Sequence, residues 1–232
     1  MVKHNREGGV CMEGASSGTW SGNHVRHNGG HGVQLSQHTT QQLHHNTVHH
    51  NQRCGIQVLH HAAADVKGND CHDNQYGVWL ECAAAADASH PANHPTVSHN
   101  RVHSNRADGV VVRSATAGTL RCNEVFDNGG LGVLVGGCAA PTLVGNVVRQ
   151  NRDGGMAVAE RAAGRVSGNV LSHNAVGLLI SGHARPRVEH NLLHSNRSAG
   201  VLVRAPLSHL PLASSLPPLC ATEREETWGG AC

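Results

Sequence analysis

Residues 22–35 read GNHVRHNGGHGVQL, and this stretch holds the pattern on which most of the chain is built. The pattern is an Asn, an apolar residue two positions later, a second Asn, and then a Gly followed by apolar residues at alternate positions. Its first Asn recurs at Asn23, Asn46, Asn69, Asn100, Asn123, Asn146, Asn169 and Asn191, in steps of 23, 23, 31, 23, 23, 23 and 22 residues. A fixed period of this length indicates a solenoid with one repeat per coil.

The apolar positions predict strands rather than helices. Val33 and Leu35 alternate after the Gly, Val25 lies two residues after the first Asn, and Leu43 lies three residues before the next one. Alternation over short stretches is typical of strands with one buried face, so each repeat supplies about three of them. Such a unit buries its inner face only by stacking on copies of itself, at about 4.8 Å per coil. We therefore expect an all-β, right-handed parallel β-helix of eight to nine coils over residues 1–204, the first coil being partial.

The second Asn of each repeat is expected to form a structural ladder between coils. A polar amide at a corner can hydrogen-bond its counterparts in neighbouring coils and tolerates left-handed backbone. The Gly column is expected to supply a second strained corner. A leucine-rich repeat is disfavoured, because its L-x-x-L-x-L framework and helical segment are missing. The ladder residues are Asn28, Asn51, Asn74, Asn105, Asn128, Asn151, Asn174 and Asn196.

Two segments depart from the repeat. The step of 31 residues between Asn69 and Asn100 predicts an insertion loop at about residues 82–95. Insertions in solenoids often lie on the binding face, although a tolerated insertion without a role fits equally well. From Ala205 the pattern stops and prolines become frequent, so residues 205–232 are predicted to be a disordered or loosely attached tail. Because residues 1–12 begin in mid-repeat, we expect the chain to be a fragment of a longer solenoid or the product of an incomplete gene model.

Composition narrows the class of protein. Lys and Arg number 18 against 16 Asp and Glu, a balance that disfavours a nucleic-acid-binding protein. No run of 18 apolar residues predicts a membrane span. The eight cysteines show neither a CxxC motif nor a regular framework, which favours reduced thiols and a cytoplasmic or nuclear location.

The repeats resemble those of a known superfamily. The segments APTLVGN at residues 140–146 and GNVLSHNAVGLLI at residues 168–180 are similar to repeats of the carbohydrate-binding and sugar-hydrolase β-helix superfamily. Within it they most resemble the β-helix region of F-box-only proteins, which are substrate receptors of cullin-RING ubiquitin ligases. The resemblance covers roughly residues 1–204 and implies the substrate-facing part of such a receptor. No F-box and no Cys/His zinc-finger pattern is visible, so no adaptor-binding segment is implied.

The outward positions offer no clear catalytic constellation. Between the inward strand residues lie Gln34, Gln57, Trp79 and their counterparts, none of them acidic. Asp70, Arg101 and Glu124 alternate in sign from coil to coil and predict a surface salt-bridge ladder. Asp73 and Asp127, two coils apart, fall near the carboxylate separation of an inverting glycosidase, but chance placement explains them better. We predict a protein that is not an enzyme.

A column two residues before the second Asn is the candidate partner surface. It contains Arg26, His49, His72 and His103 in successive coils. Neighbouring imidazoles about 4.8 Å apart could bind zinc or respond to pH. Three ligands in a straight column do not readily surround one ion, so we expect no metal and no cofactor.

Three hypotheses follow. The first is a non-enzymatic recognition solenoid that binds a protein along its polar ladders and the insertion loop. The second is a carbohydrate-active β-helix enzyme, such as a lyase, hydrolase or epimerase, or a sugar-binding module. An acidic groove with aromatic platforms would favour the second, and the sequence shows neither. A purely structural role is the third.

Overall fold

A computed structural model of the protein describes residues 1–82 and 94–204. Within those ranges the regular structure consists of short strands, without a helix. The strands are β1 (Val2–Lys3), β2 (Val10–Met12), β3 (Ser17–Ser21), β4 (His24–Arg26), β5 (Val33–Leu35), β6 (Thr40–His44), β7 (Thr47–His49), β8 (Cys54–His60), β9 (Ala63–Lys67), β10 (Asp70–His72), β11 (Tyr76–Cys82), β12 (Thr96–Ser98), β13 (Arg101–His103), β14 (Val110–Ser114), β15 (Thr119–Arg121), β16 (Glu124–Phe126), β17 (Leu131–Val135), β18 (Thr142–Val144), β19 (Val147–Arg149), β20 (Gly154–Val158), β21 (Arg165–Ser167), β22 (Val170–Ser172), β23 (Val176–Ser181), β24 (Arg187–Glu189), β25 (Leu192–His194) and β26 (Ala199–Arg204).

The strands form three parallel sheets, each built from every third strand of the chain. Sheet A has the order β1-β4-β7-β10-β13-β16-β19-β22-β25, and sheet B has the order β2-β5-β8-β11-β14-β17-β20-β23-β26. Sheet C has the order β24-β21-β18-β15-β12-β9-β6-β3. Each coil thus contributes about one strand to each sheet, which confirms the predicted parallel β-solenoid with about 23 residues per coil.

The core lies between the three sheets and consists of the alternate apolar positions. Leu35, Ile56 and Leu80 occupy successive coils of sheet B, and each is 0% exposed. Val48 of sheet A and Val66 of sheet C complete the same interior. Burying one such side chain contributes about 1.5–3 kcal/mol, so the stacked coils supply a core that no single coil could have.

The insertion does not interrupt the register of the solenoid. Strand β11 ends at Cys82 and β12 begins at Thr96, yet β12 pairs with β9 through Val97 and Val66. Most of the predicted loop at about 82–95, and all of the predicted tail at 205–232, lie outside the described residues.

The Asn ladder forms, but the left-handed corner lies one residue earlier than the sequence analysis placed it. The N–H and the Nδ2 of Asn51 each donate to Oδ1 of Asn74 at 3.0 Å. At this corner the left-handed residue is the one immediately before each ladder Asn, such as His50 with φ 55° and Asp73 with φ 54°. The strained backbone of the preceding residue turns the Asn amide inward, where it can bond the next coil and the backbone.

The Gly column serves close approach and not backbone strain, so the prediction for it was wrong. Gly109 is absent from the residues with positive φ, whereas Gly68 and Gly145 adopt φ of 66° and 64° at a different corner. A Cβ on Gly109 would lie 2.6 Å from Cγ1 of Val125 and 2.7 Å from the carbonyl oxygen of Gly132. Only a residue without a side chain lets neighbouring coils stack at this position.

Among the described residues, the cysteines are not all in the same state. Cys54, Cys71, Cys82 and Cys122 are free thiols. Cys11 is disulfide-bonded, so the expectation of reduced thiols does not hold for that residue. Across the described ranges, no helix has the length and apolar character needed to cross a membrane.

Candidate functional site

The outer face of sheet A brings the four predicted partner-surface residues together. Arg26 pairs with His49, His49 with His72, and His72 with His103, each on the next strand of the sheet. The same register extends the column to Phe126 and Arg149. We name these six residues the stacked column: Arg26, His49, His72, His103, Phe126 and Arg149.

The rings of the stacked column lie face to face. Ring centroids are 4.8 Å apart for His49 and His72, with 12° between the planes, and 5.0 Å apart for His72 and His103, with 5°. His103 stacks on Phe126 at 4.7 Å and 13°. The guanidinium of Arg149 lies 4.4 Å from the Phe126 ring centroid and closes the stack as a cation–π contact. Four rings and a guanidinium therefore form one continuous row.

Hydrogen bonds fix the imidazoles differently along the row. Nδ1 of His72 lies 2.7 Å from Oδ2 of Asp73, and Nε2 of His103 lies 3.0 Å from Oδ1 of Asp70. Nδ1 of His49 instead lies 2.8 Å from Nδ1 of His50. One of those two nitrogens must donate and the other accept, so this contact requires at least one neutral imidazole.

The surroundings of His49 disfavour its charged form. Desolvation, the neighbouring rings of His72 and His50 and the charge of Arg26 lower the pKa of His49 to about 4. Partial desolvation and the charges of His50 and Arg26 also lower the pKa of His27. Both residues are therefore neutral near pH 7, and this end of the row carries its charge on Arg26.

The flanking column carries the predicted salt-bridge ladder, which the structure confirms. Arg101 lies 3.6 Å from Asp70 on one side and 3.6 Å from Glu124 on the other. Glu124 also pairs with Arg149 at 2.7 Å, which ties this ladder to the stacked column. Exposed pairs of this kind contribute only about 0.2–1 kcal/mol each, so their main effect is to order the surface.

Further along sheet A the same face becomes apolar. The flanking column continues into Val147, Val170 and Leu192. Val147 is 38% exposed and Leu192 is 57% exposed. The outer face of sheet A thus has an ordered polar and aromatic half and an exposed aliphatic half.

Sheet B carries a second group that the sequence analysis missed. The rings of Tyr76 and Trp79 meet at 75° with centroids 5.1 Å apart. Nε1 of Trp79 donates to Oε2 of Glu81 at 2.9 Å, and Glu81 pairs in register with Arg113. Burial and then the charge of Asp108 raise the pKa of Tyr76. Asp108 lies on the next coil, where its backbone carbonyl accepts from the N–H of Gly77 at 3.3 Å. Glu81 and Asp108 do not belong to the outward column that contains Trp79. The sequence analysis considered that column, which has no acidic residue, and therefore did not detect this group.

Within residues 1–82 and 94–204, no group of three or more His, Cys, Asp or Glu side chains is arranged to hold a metal ion. The stacked imidazoles present parallel rings to one another and do not converge on a common point.

Comparison with known proteins identifies the repeat family. The family model described as the right handed beta helix region matches residues 2–90 and residues 86–205. No curated protein and no solved structure matches the chain. The two matches together span most of the sequence and coincide with the coils described above. The chain therefore belongs to the right handed beta helix region family.

Proposed function

We propose that this protein is a non-enzymatic recognition solenoid that binds a protein partner on the outer face of sheet A. The observation that carries the proposal is the continuous row from His49 to the guanidinium of Arg149. Aromatic residues and Arg are enriched where proteins bind one another, and here both are held in one row on an open sheet.

The order of this row supports binding on energetic grounds. A side chain that is immobilised on binding costs about 0.5–1.5 kcal/mol. The rings of His72 and His103 are already fixed by stacking and by Asp73 and Asp70. These side chains are already ordered in the free protein, so a partner that binds them loses little further side-chain entropy.

The aliphatic half of the face supports the same reading. Val147 and Leu192 are among the exposed large apolar side chains of the described residues. Exposed apolar patches rimmed by polar groups mark interaction sites. An interface that covers both halves would combine apolar burial with polar contacts that fix its orientation.

The finer proposal is that the solenoid is the substrate-binding part of an F-box-type ubiquitin-ligase receptor, or of a related scaffold. It rests on the resemblance of the repeats to the F-box-only proteins. Sequencing the native transcript upstream of Met1 tests it. An F-box in frame supports the receptor, whereas a secretory signal in frame overturns it and favours the carbohydrate-active alternative.

The binding face is tested by affinity capture with a matched pair of charge reversals. Arg149→Glu alters the stacked column, and Arg121→Glu makes the same change at an exposed position of sheet C. We expect proteins captured by the wild type to be captured equally by Arg121→Glu and at least tenfold less by Arg149→Glu. Circular dichroism establishes that both variants are folded. Equal capture by the two variants would exclude the outer face of sheet A as the binding surface.

A further inference from the structure

The outer face of sheet B carries an aromatic corner beside carboxylates. Tyr76 and Trp79 are both half-buried, and their rings meet at 75°. Glu81 is held next to the indole, because Nε1 of Trp79 and Oγ of Ser114 donate to its two oxygens at 2.9 Å and 3.1 Å. Each carboxylate oxygen keeps a second lone pair, so Glu81 can accept from a further donor.

The charge around this corner is negative. Asp108 is held beside this corner, because its carbonyl accepts from the N–H of Gly77 at 3.3 Å and its Oδ1 accepts from the N–H of Leu131 at 2.7 Å. Its charge raises the pKa of Tyr76, while burial and then the charge of Asp153 raise the pKa of Asp108 itself. The guanidinium of Arg113 is matched by Glu160 at 2.8 Å. Carboxylates therefore outnumber guanidiniums here, even when Arg53 on the neighbouring coil is included.

A buried acceptor lies next to the same corner. Gln57 is the neighbour of Trp79 on the preceding coil. Its Oε1 is buried and has no hydrogen-bond partner. An unsatisfied carbonyl oxygen carries a partial negative charge, so the residue paired with Trp79 offers no positive group to this corner.

Sheet A shows what such a corner binds within this same fold. There Arg149 lies over the Phe126 ring at 4.4 Å while it pairs with Glu124 at 2.7 Å. The guanidinium thus contacts an aromatic ring and a carboxylate at the same time. Sheet B repeats the ring and the carboxylate at Trp79 and Glu81, but no guanidinium of the described residues lies over Trp79 or Tyr76.

We propose that Tyr76, Trp79, Glu81 and Asp108 form a docking site for an arginine side chain of a protein partner. A guanidinium binds aromatic faces by cation–π attraction and pairs with a carboxylate through its planar set of donors. The site lies on sheet B and does not depend on the binding face of sheet A. It adds a charge-specific contact to a protein whose net charge is close to balanced.

The experiment is an NMR titration of the full chain, observed at the indole N–H of Trp79. The chain has three Trp residues, and Trp79→Phe assigns the resonance by its loss. The probes are a short arginine peptide, the same peptide with citrulline in place of arginine, a glutamate peptide and cellohexaose. Citrulline has nearly the shape of arginine without its charge, so it isolates the contribution of the cation.

We expect a saturable shift with the arginine peptide, at least fivefold weaker binding of the citrulline peptide and no binding of the glutamate peptide. Glu81→Gln should weaken arginine binding at least fivefold, while Glu7→Gln, an exposed carboxylate on the first coil, should leave it unchanged. Equal binding of arginine and citrulline, or loss in both variants, overturns the proposal. Saturation by cellohexaose without an effect of arginine overturns it in favour of a sugar-binding site.

Discussion

The imidazole of His49 stacks on that of His72 with 4.8 Å between centroids and 12° between planes. This spacing equals the distance between hydrogen-bonded strands, because the two residues are direct partners in a parallel sheet. The strand spacing of the solenoid therefore sets the ring separation in the stacked arrangement. The charge of His72 at this distance is one of the causes that lower the pKa of His49, after desolvation.

The first prediction is that the free energy of unfolding decreases as the pH is lowered from about 6.5 to 4. An unfolded histidine titrates near pH 6.5, whereas the pKa values of His31 and His49 are lowered to about 4, mainly by burial. The unfolded chain thus binds more protons in this window, so the free energy of unfolding decreases as the pH falls. Urea midpoints measured at pH 7, 6, 5 and 4.5 should decline.

His49→Gln tests the contribution of the stack to that decline. Because His49 is partly exposed to solvent, we expect its removal to flatten the profile by about 1 kcal/mol. His194→Gln, at an exposed position of the last strand of sheet A, removes an imidazole without touching the stack of His49 and His72. If the stability of His49→Gln depends on pH as steeply as that of the wild type, His49 does not contribute to the decline.

The second prediction concerns the interior of the Asn ladder. Oδ1 of Asn105 accepts from the N–H of Asn74 at 3.1 Å, and its Nδ2 donates to Oδ1 of Asn128 at 3.0 Å and to the carbonyl of Cys71 at 3.2 Å. Asn105→Ala leaves buried groups unpaired in both neighbouring coils, at about 1–3 kcal/mol for each group. We expect a loss of about 3 kcal/mol, measured as a lower urea midpoint.

Asn196→Ala is the matched control for the ladder. Asn196 lies on the last coil, where its Oδ1 accepts from Asn174 and its Nδ2 donates to the carbonyl of Leu171. Because it has no ladder partner on its other side within the described residues, its loss should cost less than that of Asn105. Equal costs would show that the ladder acts within single coils and not between them.

The period and the apolar columns were enough to predict the fold from the sequence. Val48 and Cys71 each fall two residues after a first Asn, and both are fully buried in sheet A. Backbone conformation at the corners was less accessible. His50 and Asp73 adopt left-handed φ at the corner. His, Asp and Asn are all enriched in this conformation, so residue type alone did not distinguish the corner residue from the ladder Asn that follows it.

The candidate sites were predictable only where one column contained them. Arg26, His49, His72 and His103 share a column, so the sequence placed them side by side. The group at Tyr76, Trp79 and Glu81 spans three columns of one strand, and Asp108 joins it from the next coil. Whether these residues contact one another depends on the conformation and length of their side chains, and the period of the repeat does not specify either.

The third prediction compares two glycines. A Cβ on Gly109 would lie 2.6–2.8 Å from Val125, Gly132 and Asn128 of the next coil. Gly109→Ala therefore forces the coils apart, and overpacking of this kind costs about 1–3 kcal/mol. A Cβ on Gly8 would meet only the carbonyl oxygen of His31 at 3.6 Å. Gly8→Ala should thus leave the urea midpoint nearly unchanged, and similar losses in both variants would disprove the close-approach explanation.

The last prediction concerns thiol reactivity. Burial raises the pKa of Cys54 to about 12 and raises that of Cys71 further above its usual range, and Cys71 is 0% exposed. Cys122 is an exposed free thiol. Because the thiolate is the reactive form, iodoacetamide at pH 8 should modify Cys122 at least about 100-fold faster than Cys71. Peptide mass spectrometry measures both rates, and Cys122→Ser should remove the fast modification at that peptide. Rapid labelling of Cys71 without denaturant would mean that the coils of sheet A open far more often than a fully packed solenoid allows.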